Sequence, residues 1–154
     1  MSAIRIRLAA PPDSEQLSRL REALWPDSSA EEHRKELASL LGEKQNGALP
    51  RAIFVAETPE GGLAGFLEAG LRSHADGCDP KQPVGFVEGW FVAENHRQRG
   101  LGGGLLSAAE DWARGQGCTE MASDARVDNA LSQQVHETLG FEVVDRCVHY
   151  RKAL

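Results

Sequence analysis

The sequence contains few cysteines, and their arrangement argues against two classes of small protein. Its 154 residues include 3 cysteines, Cys78, Cys118 and Cys147, which lie far apart in the chain. An odd number of distant cysteines supports no disulfide framework, and no Cys/His spacing typical of a zinc site occurs. We therefore expect reduced thiols in a cytoplasmic protein without a bound metal.

Basic side chains are also in the minority. The chain has 17 lysines and arginines against 23 aspartates and glutamates, a formal net charge of −6. Because nucleic-acid-binding proteins usually carry a net positive charge, this balance argues against a nucleic-acid partner. An acidic protein attracts cationic partners more readily, although many enzymes are acidic for solubility alone.

Long apolar segments are missing as well. No run approaches the roughly 20 apolar residues of a membrane span. The N-terminal sequence MSAIRIRLAAPP is too short and too charged for a signal peptide. We therefore expect no membrane partner.

The sequence does contain a regular series of strand and helix patterns. Its 154 residues, 41% of them hydrophobic, suit one domain with a core better than two, so we expect a single domain over residues 1–154. The order β-α-α-β-β-β-α-β-α-β predicts a mixed α/β fold, with a loop marked by Asn46-Gly47 and Pro50. The predicted strands are Ile4–Leu8, Arg51–Glu57, Leu63–Arg72, Val84–Val92, Thr119–Ala125 and Phe141–Tyr150. The predicted helices are Ser14–Leu24, Ala30–Glu43, one that follows Gly100 and ends at Gly115 to Gly117, and Asn129–Leu139. The last of these is expected to place Leu131, Val135 and Leu139 on its core face.

The segment Glu88–Leu106 carries the most specific pattern. An apolar strand runs through an arginine-rich turn into a helix whose first turn is mostly glycine. The first N–H groups of a helix have no partner inside it, and glycine lets a ligand approach them closely. The helix dipole and the charges of Arg97 and Arg99 add positive potential, so this turn is suited to bind a diphosphate.

Two familiar phosphate-binding loops do not fit this turn. A Walker A loop needs Gly-Lys-Ser/Thr at its end, whereas Gly104 is followed by two leucines. A dinucleotide fingerprint that begins at Gly100 needs a glycine where Leu105 stands, and the expected βαβ setting is missing.

The spacing that does fit is Arg97-x-x-Gly100-x-Gly102 between an apolar strand and an amphipathic helix, followed later by Asn129 and Gly140-Phe141. It resembles the acetyl-CoA-binding motif of the GCN5-related N-acetyltransferases, and the order of elements agrees over the full length. The resemblance implies that backbone N–H groups hold the pyrophosphate, that a splayed strand pairs with the pantetheine arm, and that Asn129 flanks the thioester. The residues implied in acetyl-CoA binding are Trp90, Phe91, Val92, Arg97, Arg99, Gly100, Leu101, Gly102, Gly103, Gly104 and Asn129.

Acetyl transfer to an amine needs a group that removes the proton of the ammonium, and carboxylates also attract the cation. Glu88 interrupts an apolar strand, and Asp124 ends the segment EMASDA. Asp128 stands before the last helix, where it is the better candidate of the two aspartates for a helix cap, which leaves Asp124 for the site. Glu68, on the neighbouring strand, is an open candidate.

A narrower resemblance rests on the segments PVGFVEGWFV, CTEMASDA and Asp128-Asn129, together with Leu24-Trp25-Pro26 before an acidic run. These look like aminoglycoside 6'-N-acetyltransferases, which confer antibiotic resistance. The resemblance implies that Glu88, Asp124 and Trp25 face a polycationic acceptor with Asp128 nearby, and that the protein is a homodimer. One position departs from the pattern, because Ala75 stands where relatives commonly carry a tyrosine.

Three alternatives stay open. The leaving thiolate needs an acid, for which His136 occupies the position that is a tyrosine in many of these acetyltransferases, and His149 or Tyr150 are alternatives on opposite faces of the last predicted strand. The acceptor could instead be a polyamine, a small metabolite or a protein amine. A module that binds acetyl-CoA without catalysis is the third reading.

Overall fold

The computed structural model describes residues 4–42 and 49–154 and has a mixed five-stranded sheet flanked by helices. The strand order is β1-β2-β3-β4-β5, with antiparallel pairing except between β4 and β5, which are parallel. The strands are β1 (Arg5–Leu8), β2 (Arg51–Glu57), β3 (Leu63–Arg72), β4 (Val84–Val92) and β5 (Met121–Ala122), and the helices are α1 (Ser14–Leu24), α2 (Ala30–Leu40), α3 (Leu101–Gly115) and α4 (Ala130–Thr138). The predicted α/β class is confirmed.

The sheet buries both faces because its central strands are apolar on both. On one face, Ile53 and Val55 of β2 pack with Leu17 of α1 and Leu37 of α2. On the opposite face, the alternate residues of the strands pack with Leu105 and other apolar residues of α3. The α1–α2 pair and α3 therefore cover opposite sides of the sheet.

The ends of the first two helices follow local sequence signals. Helix α1 stops at Trp25, because the following Pro26 disfavours helical backbone at the residue before it. Helix α2 begins at a capping box in which Ser29 and Glu32 bond each other's backbone N–H groups. It ends at Leu40, earlier than expected; Glu43, Asn46 and Gly47 lie outside the described residues.

Strand β4 contains a bulge that positions the site. In its register with β3, Glu68 lies opposite Gly89 and Ala69 lies opposite Val87, so Glu88 is the extra residue. A bulge turns two consecutive residues toward the same side of a sheet. Glu88 and Gly89 accordingly both face the α1–α2 side, where a Cβ built on Gly70 would lie 3.5 Å from the Glu88 carboxylate.

The last third of the chain differs from the sequence prediction. Strand β5 has only two residues, and the predicted strand Phe141–Tyr150 is absent: residues 141–154 form neither strand nor helix. Because β5 offers so short an edge, the segment finds no partner strand among the described residues. Most of its apolar side chains are exposed, and Tyr150 is 92% exposed, whereas Phe141 is partly buried against the core.

The predicted core face of the last helix is also wrong. Leu131 of α4 is 66% exposed, and Val135 and Leu139 are exposed as well. Among the described residues, no strand follows α4 to cover this face. In residues 4–42 and 49–154, no helix combines the length and apolar character needed to cross a membrane.

Candidate active site

A polar cavity of about 310 Å³ lies on the α1–α2 side of the sheet, at the bulge of β4. Its walls combine aromatic and charged side chains: Arg21, Trp25, Ser28, His33, Glu36, Arg51, Glu68 and Glu88. The three carboxylates that line it belong to α2, β3 and β4, and each of them forms an ion pair with an arginine. Two predicted acceptor residues, Trp25 and Glu88, therefore share one cavity.

Glu88 is half-buried and is engaged by an arginine. Nε and Nη2 of Arg72 donate to its two carboxylate oxygens over 3.1 and 2.8 Å, and the Arg72 guanidinium lies 3.5 Å from the ring centre of Phe86. The hydrogen bond to Glu88 raises the pKa of Arg72 above its ordinary value, and the charge of Asp124 adds to this rise. Asp124 is exposed and lies close enough to Arg72 to act on it. Arg72 thus interacts with both predicted carboxylates.

Trp25 forms the opposite wall, directly on the strand. A Cβ atom built on Gly89 would lie 2.3 Å from Cη2 of Trp25, so the indole rests on the bare backbone of β4. The ring also packs edge-on against Phe66 and stacks against His33 at 6.3 Å. Gly89 is required because any side chain there would displace the indole.

Beside Trp25 lies a buried ion pair that the sequence analysis did not identify. Arg21 donates to Glu68 in a short hydrogen bond, and their side chains are 3% and 2% exposed. Glu68 also lies 3.7 Å from Arg51. Burial raises the pKa of Glu68, and the charges of Arg21 and Arg51 oppose that rise. Glu68, left open as an acceptor contact, is occupied by these two arginines.

The glycine-rich turn opens α3 as expected. Gly100 is the N-cap residue with φ of 77°, a left-handed conformation that glycine adopts without strain. A Cβ on Gly102 would lie 3.6 Å from Nε1 of Trp90, an ordinary contact. A Cβ on Gly104 would lie 2.5 Å from Cδ1 of Ile6. A side chain at residue 104 would therefore have to displace the end of the Ile6 side chain, whereas Gly102 keeps a side chain away from the helix N-terminus.

Strand β4 leads to this turn without a neighbour on one side. Among residues 4–42 and 49–154, it pairs with β5 only at Gly85 and Phe86, so its segment from Trp90 to Val92 has no partner strand on that side. Nε of Arg97 donates to the carbonyl of Val92 over 2.8 Å, which ties the turn to the strand end. Arg99 is exposed. The two strands separate at the position that the resemblance implies.

His136 lies beside Trp90, with ring centres 5.3 Å apart. Its Nδ1 lies 2.7 Å from the carbonyl of Ser132, which can only accept, so this nitrogen carries a proton. Its Nε2 lies 2.7 Å from Oγ of Ser123, the residue before Asp124. His136 thus joins α4 to the end of β5, next to a predicted carboxylate.

The helix cap was assigned to the wrong residue. Asn129 is the N-cap of α4 and accepts from the backbone N–H of Ser132 over 3.0 Å. Asp128 is exposed and accepts from Nε of Arg126 over 3.2 Å, and this bond lowers its pKa. Because the helix begins one residue later than Asp128 needs for capping, Asn129 takes the role.

The remaining predictions concern the alternative proton donors and a bound metal. His149 and Tyr150 are exposed in the segment that forms no strand. Within the described parts of the chain, no group of three or more His, Cys, Asp or Glu side chains could hold a metal ion.

Arg21 and Arg72 are two of the site residues that the sequence analysis missed, and Ser28, His33, Glu36 and Arg51 also line the cavity. Arg21 stands four residues after Leu17 and four before Trp25, so helical spacing alone would have put an arginine on the buried face. Arg72 alternates with Gly70 and Glu68 along β3 and shares their face. Its contact with Glu88 depends on the bulge, which leaves no sequence signal.

Comparison with known proteins gives one consistent result. The family model described as Acetyltransferase (GNAT) family matches residues 17–141. An aminoglycoside N(6')-acetyltransferase type 1 of Klebsiella aerogenes is 40% identical over 149 residues, covering 97% of this chain and 96% of that protein. Its counterpart in Stenotrophomonas maltophilia is 37% identical and covers 99% and 95%.

Solved structures agree. The enzyme AAC(6')-Iy, in complex with the bisubstrate analogue CoA-S-monomethyl-acetylneamine, superposes with a TM-score of 0.87 at 37% identity, covering 99% of this chain and 100% of that one. The aminoglycoside 6'-N-acetyltransferase AAC(6')-Ih from Acinetobacter baumannii gives a TM-score of 0.85 at 32% identity and covers 99% of both chains.

Proposed function

Because this chain belongs to the GNAT acetyltransferase family, we propose that it transfers an acetyl group from acetyl-CoA to the 6'-amino group of an aminoglycoside and so confers antibiotic resistance. One observation carries the acceptor class: the bulge residue Glu88 and Trp25 line the same polar cavity, on the strand that runs into the glycine turn. A cationic sugar amine suits carboxylates beside an aromatic wall.

The glycine turn fits the diphosphate of acetyl-CoA. The first N–H groups of α3 have no acceptor within the helix, and Gly102 leaves their approach free of a side chain. Arg97 and Arg99 add positive charge to this end. Leu101, Gly103 and Asn129 complete the proposed set, while Trp90 to Val92 offer the backbone of β4 to the pantetheine arm.

The reaction is a direct transfer between the two bound substrates. The neutral amine nitrogen of the acceptor forms a C–N bond to the acetyl carbon, the C–S bond breaks, and the thiolate of CoA leaves and takes up a proton. We assign ammonium binding to Glu88 and Asp124, with Asp128 nearby, and removal of the ammonium proton to one of the first two. No cysteine is needed as a nucleophile.

His136 is the proposed proton donor to the thiolate. Its ring packs edge-on against Trp90, at the strand proposed to hold the pantetheine, which supports this role. Replacing it with phenylalanine keeps a ring beside Trp90 and should lower kcat by about a hundredfold, removing one limb from the pH profile of kcat. A change confined to the melting temperature would argue for a purely structural residue.

A thiol-release assay tests the proposed function. Purified protein, acetyl-CoA and a panel of kanamycin-type aminoglycosides and polyamines should give turnover with the aminoglycosides, and mass spectrometry of the product should place one acetyl group on the 6'-amine. Turnover of neither acceptor class would reject the proposal.

A polyamine, another small cation or a protein amine is the second candidate acceptor. Ala75 favours it, because the tyrosine common at this position in aminoglycoside enzymes is missing and one wall of the site is reduced. Preferred turnover of polyamines in the same panel would select this alternative.

We also propose a homodimer in the cytoplasm, with each chain forming a single domain and neither nucleic acid nor membrane as a partner. The exposed apolar residues Val143, Val144, Val148 and Tyr150 support the dimer, because a second copy would cover them. Sedimentation of the full chain should give twice the monomer mass.

A further inference from the structure

The buried pair of Arg21 and Glu68 has no role in the reaction described above. Removing two charges from water costs several kcal/mol per ion, so a buried ion pair is weak evidence of a stabilising device. Both residues line the acceptor cavity together with Trp25. Their contacts therefore indicate what the pair holds in place.

The guanidinium of Arg21 is held on every side. Nη1 donates to Glu68, Nη2 donates to Glu36 over 2.6 Å, and Nε donates to Nδ1 of His33 over 3.2 Å. Its face points at the indole of Trp25, with Cζ 5.0 Å from the ring centre. Only a planar, forked cation can make these contacts together.

His33 extends this arrangement to the backbone of Trp25. Arginine has no lone pair to offer, so Nδ1 of His33 is the acceptor of their hydrogen bond. The proton on Nε2 then points to the carbonyl of Trp25, 3.1 Å away. Arg21 thus fixes Trp25 twice: through the face of its ring, and through its carbonyl by way of His33.

The anchor at the other end is the sheet itself. Glu68 lies opposite Gly89 in the pairing of β3 with β4, and Gly89 carries the indole of Trp25. Resting on the proposed function, we propose that Arg21 is a positioning residue for the acceptor. Held by Glu68, it fixes the indole of Trp25 against Gly89 and so sets the acceptor wall beside Glu88.

Arg21→Lys tests this role. Lysine keeps the charge that Glu68 needs, but it loses the fork and the flat face. We expect the KM for the aminoglycoside to rise by about tenfold or more, and the KM for acetyl-CoA to change by less than about twofold. Arg34→Lys is the matched control, because Arg34 pairs with Glu15 on the surface and should leave both KM values unchanged.

A double-mutant cycle separates positioning from general damage. In a Trp25→Leu background, Arg21→Lys should change the aminoglycoside KM by less than about twofold, because the ring that it positions is gone. An equal effect in both backgrounds, or no effect in the native one, would overturn the proposal. If Arg21→Lys does not fold, His33→Phe replaces it in the same cycle, with the same expected and contrary results.

A fluorescence measurement needs no acceptor. Acrylamide quenching of tryptophan fluorescence is measured for the native protein and for Trp25→Leu. The difference between the two is the contribution of Trp25, without that of the other two tryptophans of the chain. Its quenching constant should rise about twofold in Arg21→Lys, because a released indole is more accessible. An unchanged constant would overturn the proposal even if the native enzyme acetylates aminoglycosides. If the native enzyme acetylates no aminoglycoside, only the proposed function fails. The quenching result then still decides whether Arg21 positions Trp25.

Discussion

Trp25 occupies the space that a side chain at Gly89 would need, since a Cβ at residue 89 would lie 2.3 Å from Cη2 of the indole. This contact joins the C-terminal end of α1 to the bulge of β4 and puts an aromatic ring beside Glu88. The shape of the acceptor cavity therefore depends on the absence of one methyl group.

Gly89→Ala should displace the indole of Trp25 from its contact with the backbone of β4. We expect the KM for the aminoglycoside to rise by about tenfold or more and the KM for acetyl-CoA to stay within about twofold, as measured by thiol release. Gly115→Ala is the control, because nothing lies within 4 Å of a Cβ at that position. Equal aminoglycoside KM values for Gly89→Ala and the native protein would show that Trp25 does not line the acceptor site.

Asp124→Asn should affect the acceptor half of the site alone. The amide keeps the size of the side chain and removes the charge that attracts and deprotonates an ammonium, so we expect kcat/KM for the aminoglycoside to fall by about a hundredfold. The KM for acetyl-CoA should not change. Asp111→Asn, on the exposed side of α3, is the control. If Asp124→Asn leaves kcat and the aminoglycoside KM unchanged, the assignment of Asp124 is wrong.

Gly102→Val should affect the cofactor half. The protein itself tolerates a Cβ there, since the nearest atom, Nε1 of Trp90, would lie 3.6 Å away. The added side chain would stand at the N-terminus of α3, so we expect the KM for acetyl-CoA to rise by about tenfold or more, with the melting temperature almost unchanged. An unaltered KM for acetyl-CoA would exclude the pyrophosphate from this turn.

The sequence predicted the elements that have strong local periodicity. Helices α1 and α3 lie at the positions that their apolar spacing predicts. Glu88 was predicted as a site residue because a carboxylate interrupts an apolar strand there. The expected strand Phe141–Tyr150 has an equally good pattern and is absent. A strand pattern shows which residues could pair, whereas forming the strand requires an available edge.

The network around the acceptor cavity could not be read from the sequence. Arg72 meets Glu88 because of a one-residue bulge, and Arg21 meets Glu68 across 47 positions. Both contacts depend on register and on how α1 crosses the sheet, which are tertiary properties. The sequence likewise gives no sign that residue 89 must be glycine. That requirement comes from the indole of Trp25, which packs on the backbone there.

The ion pair of Arg7 and Asp13 gives a stability prediction, because it fastens β1 to the start of α1. Nη1 and Nη2 of Arg7 donate to the two oxygens of Asp13 over 2.8 and 2.9 Å, and the backbone N–H of Ala10 donates to the same carboxylate over 2.7 Å. The hydrogen bonds from Arg7 are the main reason that the pKa of Asp13 is lowered below its ordinary value, against the opposing effect of burial.

A lowered pKa in the folded state means that Asp13 stabilises the protein above its ordinary pKa, and that this stabilisation is lost as the pH falls through the folded value. Asp13→Asn should therefore reduce the free energy of unfolding by about 1–3 kcal/mol at pH 7, as measured by urea denaturation. The difference from the native protein should shrink below about pH 4. Asp111→Asn, whose pair with Arg114 is exposed, should cost less than about 0.5 kcal/mol at either pH. A deficit in Asp13→Asn that is the same at pH 7 and pH 3 would mean that the charge of Asp13 does not carry the stabilisation, because only the ionised carboxylate gains from Arg7.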